Sequence, residues 1–307
     1  MGILNIREVK RGGAKALIAI CGVSGSGKTF TAIQIASGMV SDNSKIGFLD
    51  TENKRGSLYA DILSNPFMIG DLYAPFSPKR YAEAIKEFQD AGIEVLIIDS
   101  ASHEWEGEGG CDDIAQAPII AGKKIANWVQ AKSEHKKFMN ALLQCDMHVI
   151  LCVRAREKTD FKDISKPVSL GIQPVCEKNF MFEMMASMMM SNEGKTQQFI
   201  KMPSYLKEAF GDGKGYLGAS HGKKLKQWLD EGEKESKDLS SFKSEMMMAC
   251  ELGTENLRLK WTEKYATLTE NDKIKAKKEA HVYAECAKSY DEIIQQQSIS
   301  EESKFTV

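Results

Sequence analysis

Gly22-Val23-Ser24-Gly25-Ser26-Gly27-Lys28-Thr29 is a glycine-rich octapeptide that specifies the architecture around it. It matches the pattern GxxxxGK[ST]. It lies between an apolar run of strand length, residues 16–21, and a segment, residues 29–39, whose apolar spacing suits a helix. The glycines let the backbone turn so that successive N–H groups face phosphate oxygens, and the following helix adds its positive end. Gly22, Ser24, Gly25, Ser26 and Gly27 form the expected cradle. Lys28 is expected to reach the β- and γ-phosphates, and the Thr29 hydroxyl is the expected Mg2+ ligand. The spacing implies a site for ATP with Mg2+, or for a close relative of ATP.

Outward from this loop, apolar runs of strand length recur at residues 45–50, 95–99 and 148–153, without clean alternation, as in strands buried on both faces of a parallel sheet. Helix-like spacing fills residues 78–91 and 125–145. Such repetition predicts a doubly wound α/β domain over residues 1–232. The Met-rich run at residues 180–190 reads as a buried strand or strand pair, given the gap-filling role of methionine. Residues 233–241 are charged and read as a linker. Residues 242–295, with Leu252, Leu257, Leu259, Trp261 and Tyr265, read as a small C-terminal helical unit, and the polar residues 296–307 as a disordered tail.

The chain has 307 residues and a formal net charge of −2, which excludes a globally basic nucleic-acid binder and leaves only local basic loops for that role. Its 7 cysteines show neither CxxC pairing nor metal-ligand spacing and read as reduced thiols of the core. The run at residues 16–21 is too short for a signal segment and nothing later approaches a membrane span, so the expectation is a cytoplasmic protein with no membrane partner. His103, His135, His148, His221 and His281 lack mutual ligand spacing, and no metal besides Mg2+ is implied.

Residues 95–98 end at Asp99, which puts a carboxylate at the edge of a buried strand, where a second Mg2+ acceptor belongs. ATPases of the AAA+ type carry glutamate directly after this aspartate. Here that position is Ser100, so the water-activating base must come from elsewhere. Glu52, just past residues 46–50, is the first candidate and Glu104 the second.

The strings GVSGSGKT, FLDTE and LIIDS resemble the RecA-like branch of P-loop ATPases. Residues 97–107, IIDSASHEWEG, look like the small RecA-core ATPases of bacteriophages, some of which assist single-strand annealing and recombination. The resemblance covers roughly residues 14–232. It implies a RecA-like P-loop NTPase core with a mostly parallel central sheet, and a glutamate after the second strand as base. It further implies a homo-oligomer with ATP at subunit interfaces, where Arg154 and Arg156 would sense or neutralise the phosphoryl group. It also implies single-stranded DNA, or a DNA-bound protein, as partner. Of the two loops expected to line the strand, residues 106–122 are acidic, whereas residues 157–174 offer Lys158, Lys162 and Lys166 around Phe161. Lys132, Lys136 and Lys137 read as a solvated helix face. Two other functions stay open: a nucleotide-gated scaffold recruiting a partner through the C-terminal helices, and a small-molecule kinase, for which the chain offers no Arg-rich lid.

Overall fold

The computed structural model describes residues 14–117, 127–160, 167–230 and 237–302. The strands are β1 (Leu17–Gly22), β2 (Ile46–Asp50), β3 (Met68–Asp71), β4 (Val95–Asp99), β5 (His148–Asp160), β6 (Val168–Pro174), β7 (Ala186–Ser191) and β8 (Thr196–Lys201). They form one sheet in the order β3-β2-β4-β5-β1-β7-β8, with β6 paired to β5. All pairs from β3 through β7 are parallel. The β7–β8 and β5–β6 pairs are antiparallel.

The helices of this first unit are α1 (Lys28–Met39), α2 (Pro78–Asp90), α3 (Ser102–Glu106), α4 (Cys111–Gln116), α5 (Trp128–Gln144), α6 (Phe180–Glu183), α7 (Lys207–Phe210) and α8 (Ala219–Asp230). Strand alternation sends successive side chains to opposite faces, so each strand serves two cores. Ile18 and Ile20 of β1 join Ile33 and Ile35 of α1 and Leu225 of α8 on one face. Leu17, Ala19 and Cys21 join Tyr81 and Ile85 of α2 and Phe138 and Leu142 of α5 on the other. Burial on both faces explains why β1, β2 and β4 read as continuous apolar runs. Truncating Phe138, which is fully buried and ring-stacked on Phe180, is the kind of change that costs about 3–5 kcal/mol.

The chain divides into two compact units, residues 1–232 and 233–307. The second contains α9 (Lys237–Cys250), α10 (Thr254–Tyr265) and α11 (Glu270–Glu302). Leu239, Phe242, Met246, Ala249 and Cys250 recur on one face of α9, where they bury with Leu257, Ala276, Tyr283 and Ala287.

Four expectations change. Residues 237–241, read as linker, are the first turns of α9, because Leu239 anchors them in the helical core. Residues 296–302, read as disordered tail, continue α11, whose last described residue is Glu302. The Met-rich run is helix then strand: Phe180 and Met181 of α6 bury against one face of the sheet, and Met188 and Met190 of β7 against the other. Residues 157–174, read as a loop, contain the antiparallel β5–β6 ribbon.

Candidate nucleotide-binding site

Parallel register brings the motif residues to one edge of the sheet. Gly22 lies opposite Arg154, Asp50 opposite Asp99, and Asp99 opposite Cys152. The carboxyl ends of β1, β2, β4 and β5 therefore open into one cavity of about 630 Å3. Ser24, Gly25, Gly27, Lys28, Thr29 and Asp99 line it together with Glu52 and Arg154. Open α/β sheets place ligands outside the carboxyl ends of their strands, and this cavity is so placed.

The loop is built for close approach to an anion. Gly25 and Gly27 have φ of 78° and 86°, a conformation that costs glycine nothing. A side chain at Gly22 would crowd the Met190 carbonyl at 2.8 Å. Lys28 Nζ donates to the Val23 carbonyl at 3.0 Å across the mouth of the loop. The start of α1 carries no side-chain cap and no acidic residue, so its N–H groups keep their attraction for phosphate. The Ser26 hydroxyl is buried and lacks a hydrogen-bond partner among the described residues. A cradle with these features fits phosphate oxygens.

The acidic wall fits a hard divalent cation. Thr29 Oγ1 donates to Asp99 Oδ2 at 2.6 Å, which places two oxygen ligands side by side. Burial pushes the Asp99 carboxyl up to about 6 against the Thr29 hydrogen bond; Glu52 and Asp50 add to the rise and Lys28 opposes it. Crowded carboxylates of this kind favour a bound dication.

Glu52 is held at the cavity wall. Arg154 donates to Glu52 Oε1 through Nε at 3.0 Å and Nη2 at 2.7 Å, and Arg55 Nη1 reaches Oε2 at 3.3 Å. Burial raises the Glu52 carboxyl, but its hydrogen bond and charge pairing with Arg154, joined by the charges of His103 and Arg55, hold it below the ordinary carboxylate value. The turn that presents it is pinned by Asp50, whose carboxylate accepts from Glu52 N and Gly56 N, each at 2.6 Å. Asn53 and Lys54 complete that turn at positive φ. Thr51 braces the neighbouring strand end: its hydroxyl accepts from Ser100 N at 2.8 Å and meets His103 Nδ1 at 2.7 Å.

Two sequence candidates lie elsewhere. Glu104, the second choice for base, does not line the cavity. It is 2 % exposed and turned toward α5, where it meets His135 Nδ1 at 3.0 Å and accepts from Cys111 Sγ at 3.2 Å. On the short α3, His103 meets Thr51 and Glu104 meets α5, so neighbouring side chains leave the helix in different directions. Arg156 pairs with Glu106 at 2.8 Å and lines a separate cavity with Lys158 and Trp105. Phe161, Lys162 and Lys166 lie outside the described residues, as do residues 118–122 of the acidic loop. Asp50, Thr51 and Arg55 escaped the sequence reading; Asp50 and Thr51 stood in the quoted FLDTE string, but as strand-end residues with no assigned role.

The cradle, the Thr29–Asp99 pair and the doubly wound sheet define a P-loop nucleotide hydrolase. More particularly, the sequence model of the family described as "AAA domain" matches residues 14–278, and the chain belongs to this P-loop ATPase family. The match extends past the first unit into the helical one. Curated relatives are more distant. The chain is 29% identical over 118 residues to the "Signal recognition particle 54 kDa protein" of Thermococcus gammatolerans, covering 37% of this chain and 25% of that protein. For the protein of the same name from Thermococcus kodakarensis the identity is 29% over 105 residues, covering 33% and 23%. The chain thus spans about a quarter of the length of these relatives. No helix among the described residues is long and apolar enough to cross a membrane.

Proposed function

We propose that this protein binds and hydrolyses ATP with Mg2+, using Glu52 as the water-activating base, and couples turnover to single-stranded DNA in phage-type recombination or replication. The observation that carries the chemistry is the convergence of Lys28, Thr29, Asp99 and Glu52 on one cavity. Thr29 and Asp99 would hold Mg2+, which when bound supplies positive charge against the triphosphate. Lys28 and the loop N–H groups orient the phosphates. Glu52, kept ionised by Arg154, takes the proton of the attacking water. Arg154 supplies a cation to the same wall.

The DNA part rests on the resemblance and on the β5–β6 ribbon, where Lys158 is exposed. The same reading includes a homo-oligomer with nucleotide at its interfaces; Arg156, with a side chain 69% exposed, is the cation such a contact would use. A nucleotide-gated scaffold is the second reading, favoured by the separate core of the helical unit.

Turnover of ATP and GTP with Mg2+, measured with and without single-stranded DNA at low and moderate salt, tests these readings together. Lys28→Ala should abolish turnover, because it removes the cation aimed at the β- and γ-phosphates. Normal activity in that variant would overturn the site. ATP turnover indifferent to DNA, with no strand binding at low salt, would remove the DNA role and favour the scaffold.

A further inference from the structure

Behind the nucleotide cavity, three helices each contribute one metal-ligating side chain to a single buried point. Glu104 of α3, Cys111 of α4 and His135 of α5 offer ligand atoms that all lie within 4.8 Å of one another. They are 2%, 0% and 7% exposed. Glu104 Oε1 lies 3.0 Å from His135 Nδ1 and 3.2 Å from Cys111 Sγ. None of the three lines the cavity that holds the phosphate loop. We infer that Glu104, Cys111 and His135 form a buried Zn2+ site.

The donor set selects the metal. A thiolate, an imidazole and a carboxylate suit Zn2+, whose bonds to sulfur, nitrogen and oxygen run to about 2.0–2.3 Å, so that ligand atoms about 3–4 Å apart can share one ion. Mg2+ takes oxygen ligands and keeps water, which fits the Thr29–Asp99 pair and not this one. Charge agrees: one thiolate, one carboxylate and a neutral imidazole balance a dication, leaving a neutral centre in an apolar surround. The collar is aromatic. Trp105 meets the His135 ring edge-on at 5.6 Å between centroids, and Phe180 and Phe138 lie at 6.0 and 6.3 Å. Such a shell fixes the ring. A cavity of about 430 Å3 that includes His135, Lys132, Met139 and Phe180 in its lining offers an entry path, and water can fill a fourth position.

The site has a place in the architecture. The α3 segment follows Asp99 closely, and Ser102 at its start accepts the backbone N–H of Arg154 at 2.8 Å. Tying Glu104 to α4 and α5 therefore anchors the segment that leads from the cation-binding strand end. Sequence spacing hid the cluster, because the ligands are separated by 7 and 24 positions.

The test is metal content of the full chain, purified without chelator from zinc-supplemented cells. Mass spectrometry should find about one zinc per chain. Cys111→Ser and Glu104→Gln should lower that occupancy severalfold or abolish it, whereas Cys250→Ser, in the helical unit, should not. Metal-stripped wild type titrated with Co2+ should show a thiolate-to-cobalt charge-transfer band that Cys111→Ser lacks. Wild type that retains no zinc after dialysis against it and gives no such band overturns the site. So does a band that survives Cys111→Ser. The wild-type measurements stand even where a variant fails to fold.

Discussion

Glu52 and Arg154 are separated by 102 positions in the chain and meet at 2.7 Å. Arg154 keeps the carboxyl ionised despite burial, which by itself would raise it. Removing the guanidinium should let burial prevail and raise the Glu52 value. Since a base acts in its ionised form, the acid limb of the turnover-versus-pH profile of Arg154→Ala should move to higher pH than in wild type. A lower plateau with an unmoved limb would show that Arg154 acts only on the phosphates. Glu52→Gln should slow hydrolysis by roughly 10²-fold or more while nucleotide affinity, followed by fluorescence titration, changes little. Unchanged turnover in that variant would take the base role from Glu52, and Glu104 in its buried cluster could not inherit it without leaving His135 and Cys111.

At the scale of the element, the β1–β5 pair carries the loop at one end and a titratable lock at the other. Ala16 N donates to His148 Nδ1 at 3.0 Å, and Val149 N donates to Ala16 O at 2.8 Å. The imidazole must be neutral to accept. Burial, helped by Lys15 and Lys226, pushes its pKa down from 6.5 to about 4. Between those values the unfolded chain binds more protons than the folded one. The stability gained by keeping His148 neutral is therefore fully present above 6.5 and lost as pH falls through about 4. The full effect is about 3 kcal/mol. His148→Gln should flatten the fall in urea midpoint between pH 6.5 and 4, at a cost of about 1 kcal/mol near neutrality. An unchanged acid limb would show that other groups govern it. Elsewhere, the β6 strand had a legible signal that the loop reading passed over: Val168, Leu170 and Ile172 alternate with Ser169, Gly171 and Gln173.

The whole molecule comprises two units with separate cores. The phosphate loop, Glu52, Asp99 and Arg154 all lie in the first. A fragment of residues 1–232 should therefore fold and bind ATP with affinity close to that of the full chain, as calorimetry would show. An insoluble or nucleotide-free fragment would mean that the core needs the helical unit, in keeping with a family match that runs on to residue 278.

The glycine-rich loop, the buried strands that flank it and the acidic strand end at Asp99 are legible in the residues alone. Those features are local: a fixed glycine spacing, runs of Val, Ile and Leu buried on both faces, and a carboxylate where such a run stops. Folding is what creates the Arg154–Glu52 pair, the direction of Glu104, and the meeting of Glu104 with Cys111 and His135. Each of these depends on how helices pack behind the sheet and on parallel register between distant strands. Side chains far apart in sequence, or adjacent on a short helix, acquire their partners only when that packing is complete.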